Sequence, residues 1–413
     1  MLNPVRSRGR IRWSLASLAV AQGHGPRRLE RALLLAAVLV AAASPAAAQS
    51  PPPPPDAATT AGSAPPPPEP ETAPDVPAFF RGTEVGGLVD AHYNWFSTRP
   101  EGDAQYRNFD TRHDQFRVSM AQVWLAKAPS AASRAGYKVK LSVGPASTIV
   151  QSLEPGASPV LQSIEEGFIS YLAPIGKGLQ FDVGKFVTQH GAEVIESKDN
   201  WNYSRSLLFA LAIPYYHSGV RATYAPNEKI SFMANVVNGW NNVVENNGAK
   251  TFGAQVIVKP SPSLSLVQNY MAGPEQPGNS VDWRQLWDTT ATYVVNPRLS
   301  VMANYDYGTD TVAGARVHWQ GVAGYAKVQA TSWLAFSPRF EIFDDASGFS
   351  TGVVQKLKEG TATLELKATD TLLWRIEYRS EVSDTAVFKT PDGLKTTQNS
   401  IAFGVLYSFS YKG

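Results

Sequence analysis

The side chains best suited to acid–base or metal chemistry are six histidines, His24, His92, His113, His190, His217 and His318, and no two stand at metal-ligand spacing. The chain has no cysteine, which removes thiolate nucleophiles, thiolate metal sites and disulfides together. It carries no G-x-S-x-G, no P-loop, no dinucleotide fingerprint and no EF-hand spacing. His217 and Ser218 are the right types for a base and a nucleophile. Adjacent residues on a strand point to opposite faces, so that pair cannot meet. An enzyme, a metal site and a cofactor are therefore not expected.

What remains is the chemistry of fixed charges. The stretch HGAEVIESKDNWNYSRSLLFALAIPYYHSGVR, His190 to Arg221, resists a strand reading. Glu193, Glu196, Lys198, Asp199 and Arg205 could line a pore constriction. Leu207 to Ile213 has helix-compatible spacing and is too apolar to be left in water, which favours a loop packed down inside a wall. The alternative is an outward-facing loop with a short amphipathic helix.

The elements that would position such a loop are short alternating segments. Leu334, Phe336, Phe340 and Ile342 alternate with Ala335, Ser337, Arg339 and Glu341. Ala362, Leu364 and Leu366 alternate with Thr361, Thr363, Glu365 and Lys367. Leu372, Trp374, Ile376 and Tyr378 alternate with Leu373, Arg375, Glu377 and Arg379. Charges opposite apolar residues fit a sheet with one face in lipid and one in water. Sixteen strands are expected, at 83–96, 114–127, 134–145, 161–173, 177–189, 214–225, 229–240, 250–259, 263–272, 285–296, 298–308, 316–328, 332–344, 357–368, 371–381 and 398–411. Connections after even strands are short and those after odd strands long, the two rims of a barrel. An even count brings both chain ends to the short-turn side. The expected fold is all-β: a transmembrane antiparallel β-barrel of about 16 strands whose long third extracellular loop carries a short helix.

Alternation also names the wall residues that face the lumen. The basic ones are Arg117, Lys138, Lys140, Arg221, Arg339, Lys367, Arg375 and Arg379, the acidic ones Asp90, Glu341, Glu365 and Glu377, and His217 joins them. A charged ring would confer ion selectivity, whereas pairs across strands would only stiffen the wall. The basic surplus on strands 2, 3 and 6 leans towards anion or mixed selectivity, and Glu193, Glu196 and Asp199 of the loop count against it. Aromatics near strand ends suit interfacial girdles: Tyr93, Trp95, Phe96, Trp124, Tyr171, Tyr215, Tyr216, Tyr224, Tyr270, Tyr293, Tyr305, Tyr307, Trp319, Tyr325 and Trp333.

Composition agrees. Of 413 residues 17% are charged, against about 25% for soluble domains. The formal charge of +2 resides in residues 1–48, which hold seven Arg and one Glu. Beyond them 30 basic and 34 acidic residues leave −4, so nucleic acid is not an expected partner. Residues 1–48 read as a signal peptide. Arg27, Arg28 and Arg31 precede an apolar run from Ala32 to Ala43, and Ala46-Ala47-Ala48 precede Gln49, placing cleavage between Ala48 and Gln49. The run is too short to span a bilayer as a helix, which takes about 20 residues. Residues 49–80 read as a Pro-rich, disordered periplasmic linker, and 81–413 as the barrel.

In the last strand Ile401, Phe403, Val405, Tyr407, Phe409 and Tyr411 share one face, similar to the C-terminal signal read by outer-membrane assembly machinery, with Lys412 and Gly413 following. Several segments also resemble the OmpL-like β-barrel porin family: NWNYSRSLLF from Asn200, PYYHSGVRATY from Pro214, VNGWN from Val237, FDVGKF from Phe181, GAE from Gly191 and YSF from Tyr407. The resemblance covers about Gly82 to Tyr411 and implies an outer-membrane barrel of general porin type, without a substrate. The expected function is passive diffusion of small hydrophilic solutes or ions, with outer-membrane lipid and lipopolysaccharide as surroundings. The apolar outer faces would also serve a homo-oligomer. Two alternatives stand beside it: a closed structural or adhesive barrel whose extracellular loops bind a partner, and a secreted all-β protein.

Overall fold

The computed structural model describes residues 81–152 and 161–412. The expected signal peptide, its cleavage at Ala48–Gln49 and the linker lie outside the described residues.

Sixteen strands close into one antiparallel barrel. They are β1 (Glu84–Phe96), β2 (Gln115–Lys127), β3 (Ala135–Val143), β4 (Ile164–Ala173), β5 (Leu179–Val187), β6 (Tyr216–Asn227), β7 (Ile230–Val237), β8 (Thr251–Ser261), β9 (Leu264–Pro274), β10 (Trp283–Asn296), β11 (Leu299–Val312), β12 (Ala315–Gln329), β13 (Leu334–Asp345), β14 (Gln355–Lys367), β15 (Leu372–Ser383) and β18 (Thr397–Lys412). A small hairpin, β16 (Phe388–Thr390) with β17 (Gly393–Lys395), sits in the last long loop. Closure is made by β1 on β18, in register from Glu84 opposite Lys412 to Phe96 opposite Ser400. Every strand thereby has two neighbours and no open edge is left to lipid.

The alternation does what the sequence implies. Phe336, Phe340, Ile342, Trp374, Ile376, Tyr378, Ile401, Phe403, Tyr407 and Phe409 are exposed on the outer wall, while Ser337, Arg339, Glu341, Arg375, Glu377, Ser400 and Ala402 are buried on the inner one. All sixteen expected strands are present, with ends shifted by a few residues. The expected strand ending at 145 stops at Val143, because Gly144 adopts positive φ and Pro145–Val150 forms a helical turn. Residues 161–163 form a 3-10 turn before β4 begins. The β16–β17 hairpin was not expected.

The aromatic girdle holds for Tyr93, Trp95, Tyr171, Tyr293 and Trp333, which point outward near the strand ends, whereas Tyr305 points outward from the middle of β11. It is corrected for Phe96, Tyr216, Trp319 and Tyr325, which are buried. Phe96 shares its parity with inward Asn94, and Trp319 and Tyr325 share theirs with inward Ala323, so these rings fill the barrel instead of the interface. Tyr216, Trp319 and Tyr325 join an internal apolar cluster with Met120, Leu286, Phe343, Leu357 and Phe388, and Phe96 lies under the Arg107 guanidinium. Gly308 lies directly opposite Trp319 in the β11–β12 ladder, and a Cβ there would overlap the indole. Gly308→Ala is expected to cost about 1–3 kcal/mol through overpacking, read as a lower midpoint for thermal unfolding in detergent. Gly324→Ala, where a Cβ would meet nothing within 4 Å, should leave the midpoint in place.

Candidate functional site: the lumen and its third loop

Residues 188–215 join β5 to β6 and run across the barrel interior. Two short helical pieces order them, a 3-10 turn at Ser197–Asp199 and an α-helix at Leu207–Leu211. Ser206 caps that helix by accepting from Phe209 N at 3.0 Å. The other free amides at its start go to the wall: Leu207 N donates to both Glu341 carboxylate oxygens, at 2.8 and 2.7 Å, and Leu208 N to one of them at 3.3 Å. A helix start buried in a barrel needs such acceptors, and a carboxylate also complements its dipole. Leu207, Leu208, Phe209, Ala212 and Ile213 then pack among Leu286, Trp319, Ala323, Phe343 and Leu357, and Trp319 Nε1 donates to Ala212 O at 3.1 Å.

Inward charged side chains from five strands, and Gln122 from a sixth, fasten the rest of the loop. At β10, Asp288 accepts from Gly191 N at 2.7 Å. At β13, Arg339 pairs with Glu193 at 2.8 Å, and Glu193 also accepts from Ser206 N at 2.6 Å. At β15, Arg375 donates to the carbonyls of Asn200, Asn202 and Ser197, Glu377 accepts from Tyr203 N and Ser204 N, and Arg379 donates to Arg205 O at 2.6 Å. At β1, Asp90 accepts from Tyr203 OH at 2.9 Å and from Ser197 Oγ. At β2 and β3, Gln122 and Lys140 donate to Glu196. Bonds in which one partner is charged contribute about 1.5–3 kcal/mol each, so this set holds the loop in one place.

The five loop residues expected to line a constriction therefore divide. Glu193 and Glu196 are buried in ion pairs. Arg205 is also buried: it donates to the carbonyls of Val194, Tyr203 and Ile195 and lies over the Phe109 ring at 4.9 Å. Only Lys198 and Asp199, paired with each other at 2.7 Å, keep substantial exposure. They border a cavity of about 650 Å³ that also meets Glu84, Trp124, Lys138 and Gln189. Glu84, Trp124 and Lys138 lie at the ends of β1–β3 nearest the short turns, so this space lies beneath the loop on that side.

The wall residues divide too. Arg339, Glu341, Arg375, Glu377 and Arg379 are inward and buried, and they grip the loop instead of forming an open ring. Glu365 links Arg375 to Lys327. Lys367 is a correction: it pairs with Asp370 of the adjoining short turn at 2.7 Å and is half exposed at the rim, because β14 ends there. His217 lies between Thr188 Oγ1 and Gly239 O, each at 3.0 Å, and Arg117 stands opposite His92 in the β1–β2 ladder.

The basic surplus on strands 2, 3 and 6 is largely cancelled. Lys138 pairs with Glu166 at 2.6 Å, Lys140 with Glu165 at 3.0 Å and Glu166 at 3.1 Å, and Arg221 with Asp182 at 2.9 Å. Sequence reasoning missed these three acids. Glu165 is the extra residue of a β-bulge, where pairing jumps from Lys140–Glu166 to Leu141–Ile164, and the bulge turns two adjacent carboxylates inward. Adjacent acids in a membrane strand were the available signal, since strict alternation would drive one of them into lipid. Arg107 of the first long loop was also missed. It reaches Asp110 and Glu381 and pins that loop to the wall.

A closed sixteen-strand barrel with an apolar outer wall and a charged interior crossed by its third long loop defines an outer-membrane β-barrel of the porin class. Residues 82–409 match the family described as "Putative beta-barrel porin-2, OmpL-like", and the chain belongs to that family, which places it in the bacterial outer membrane. No curated protein matches it in sequence. Among solved structures it is similar to OmpT of Vibrio cholerae, with 10% identity, 79% of this chain and 97% of that chain covered, and a TM-score of 0.53. It is similar in the same degree to the outer-membrane channel DcaP of Acinetobacter baumannii, with 11% identity, 79% and 97% coverage and a TM-score of 0.53. The anion-selective porin of Comamonas acidovorans gives 10% identity, 79% and 99% coverage and a TM-score of 0.53. At such identities the likeness is one of fold.

Proposed function

We propose that the protein is a passive diffusion channel for small hydrophilic solutes or ions, through a water-filled lumen narrowed by its third loop. The observation that carries this reading is the docking of residues 188–215 inside the barrel by Asp90, Lys140, Asp288, Arg339, Arg375 and Glu377. In it, Glu193, Glu196 and Arg205 shape the constriction from within, and Lys198 and Asp199 meet the solute across from Glu84 and Lys138. Residues 1–48 direct export and are removed before Gln49, 49–80 serve as a periplasmic linker, and β18 is the strand read by the assembly machinery. Lipid and lipopolysaccharide surround the outer wall, whose apolar faces also suit a homo-oligomer.

A second reading, a structural or adhesive barrel with a closed lumen, is favoured by one observation. Tyr106 and Phe109 of the first long loop, Phe209 of the third and Val387 and Phe388 of the last meet in a single apolar cluster. Discrete conductance steps from refolded protein in a planar bilayer support the channel, and their absence supports the closed barrel. Within the channel reading, Lys198→Glu is expected to move the reversal potential in a salt gradient towards cations, and Asp199→Lys towards anions. Equal potentials for wild type and both variants would remove that pair from the solute path.

A further inference from the structure

Beneath the start of the third loop lie two carboxylates that no lysine or arginine among the described residues reaches. Asp288 of β10 and Asp306 of β11 are directly opposite in the ladder, and both are fully buried. Asn304 Nδ2 donates to Asp288 Oδ1 at 2.7 Å and to Asp306 Oδ1 at 3.3 Å, and Asn269 Nδ2 donates to Asp288 Oδ2 at 2.6 Å. Asp306 Oδ2 and the neighbouring Thr290 Oγ1 have no hydrogen-bond partner. Among the described residues neither aspartate forms an ion pair with lysine or arginine.

The other charged and titratable groups around the pair do not supply the missing charge. From β13, Glu341 adds a further carboxyl group and no positive charge, approaching past the small residues Gly321 and Ala323 of β12. From the loop, His190 Nδ1 is 3.9 Å from Asp288 Oδ2. Burial, aided by His217 of β6, pulls the His190 imidazole down to about 3 and leaves it neutral. Asn269 of β9 is uncharged.

Two ionised carboxylates side by side in a dry site repel strongly, and the usual resolution is that the pair keeps one proton. The same two strands hold the loop where it leaves β5: Gly191 N donates to Asp288 at 2.7 Å and Ala192 N to Asn304 Oδ1 at 3.3 Å. We infer that Asp288 and Asp306 form a proton-sharing pair that works as an alkali-released latch on the entry of the third loop. With the proton in place, Asp306 donates to Asp288 and Asp288 still carries the Gly191 amide. Loss of that proton to hydroxide leaves two unscreened carboxylates, which separate and drop the amide.

Because the chain has no cysteine, a nitroxide can be placed on a single Val194→Cys site, whose side chain is exposed to the cavity. The label is expected to gain mobility as pH rises from about 6 to about 10. Asp306→Asn, whose amide donates to Asp288 at any pH, should hold it immobile throughout. A flat wild-type profile would overturn the latch. So would the same rise in Asp306→Asn, or a release that follows the identity of the salt cation at fixed pH. Infrared spectra of the unlabelled wild type give a second reading: a protonated-carboxyl band absent from Asp306→Asn should vanish over the same range, and no such band overturns the pair.

Only the consequence for transport rests on the proposed constriction. Conductance of unlabelled protein should rise with label mobility. If the label moves and conductance does not, the latch stands and the narrowing role of the loop fails.

Discussion

Arg339→Ala is expected to be among the most damaging single substitutions in the barrel, lowering its stability by about 3–5 kcal/mol. The Arg339 guanidinium is completely buried and surrounded by carboxylates: Glu193 of the third loop at 2.8 Å, Glu359 of β14 at 3.1 Å and Glu341 of its own strand at 3.6 Å. It also donates to Ser204 O at 2.8 Å. Removing it strands several buried negative charges, and an uncompensated buried charge costs more than the pair itself contributes. The check is the urea midpoint for loss of heat-modifiable gel mobility. Arg339→Met combined with Glu359→Leu should recover part of the loss, because an apolar pair leaves fewer orphaned charges. A midpoint unchanged in Arg339→Ala would mean that these carboxylates do not depend on the guanidinium.

Leu208→Asp is expected to free the third loop while leaving the barrel standing. Leu208 is fully buried, packed close to Gly321 with Phe343 beyond it, and its amide points at Glu341. Truncating a buried leucine costs about 2–5 kcal/mol. An aspartate there adds a carboxylate with no partner and a second negative charge beside Glu341. The strand ladder does not run through Leu208, so the penalty falls on the loop's docking, and heat-modifiable mobility should persist. Leu208→Met keeps the volume and should cost under about 1.5 kcal/mol, with the loop still docked.

Much of the architecture was legible in the sequence because membrane strands obey two simple constraints. Alternation must keep charge out of lipid, so runs such as Leu372–Arg379 declare both their strand and their inner face. Short turns must alternate with long loops, so the third loop could be located by counting. The fate of the inner charges was not legible, because parity states which way Arg375 points and not what it meets. Arg375 and Glu377 looked equally fit for a ring facing water, yet they bind loop carbonyls and amides more than 170 residues away in sequence. Arg205 misled for a related reason: its partners are backbone oxygens of its own loop, which leave no mark on residue type. Glu165 was hidden by a bulge that breaks the alternation used to read the face.

The central claim is that the third loop, fastened inside the barrel, sets the width of the lumen. Its most direct test is the single-channel conductance of wild type and Leu208→Asp, refolded identically and recorded in planar bilayers at the same salt, with Leu208→Met as control. Larger and noisier steps in Leu208→Asp, and wild-type steps in Leu208→Met, are the predicted result. Equal conductance in all three, with the loop shown by protease cleavage near Asp199 to be released in Leu208→Asp, would contradict it.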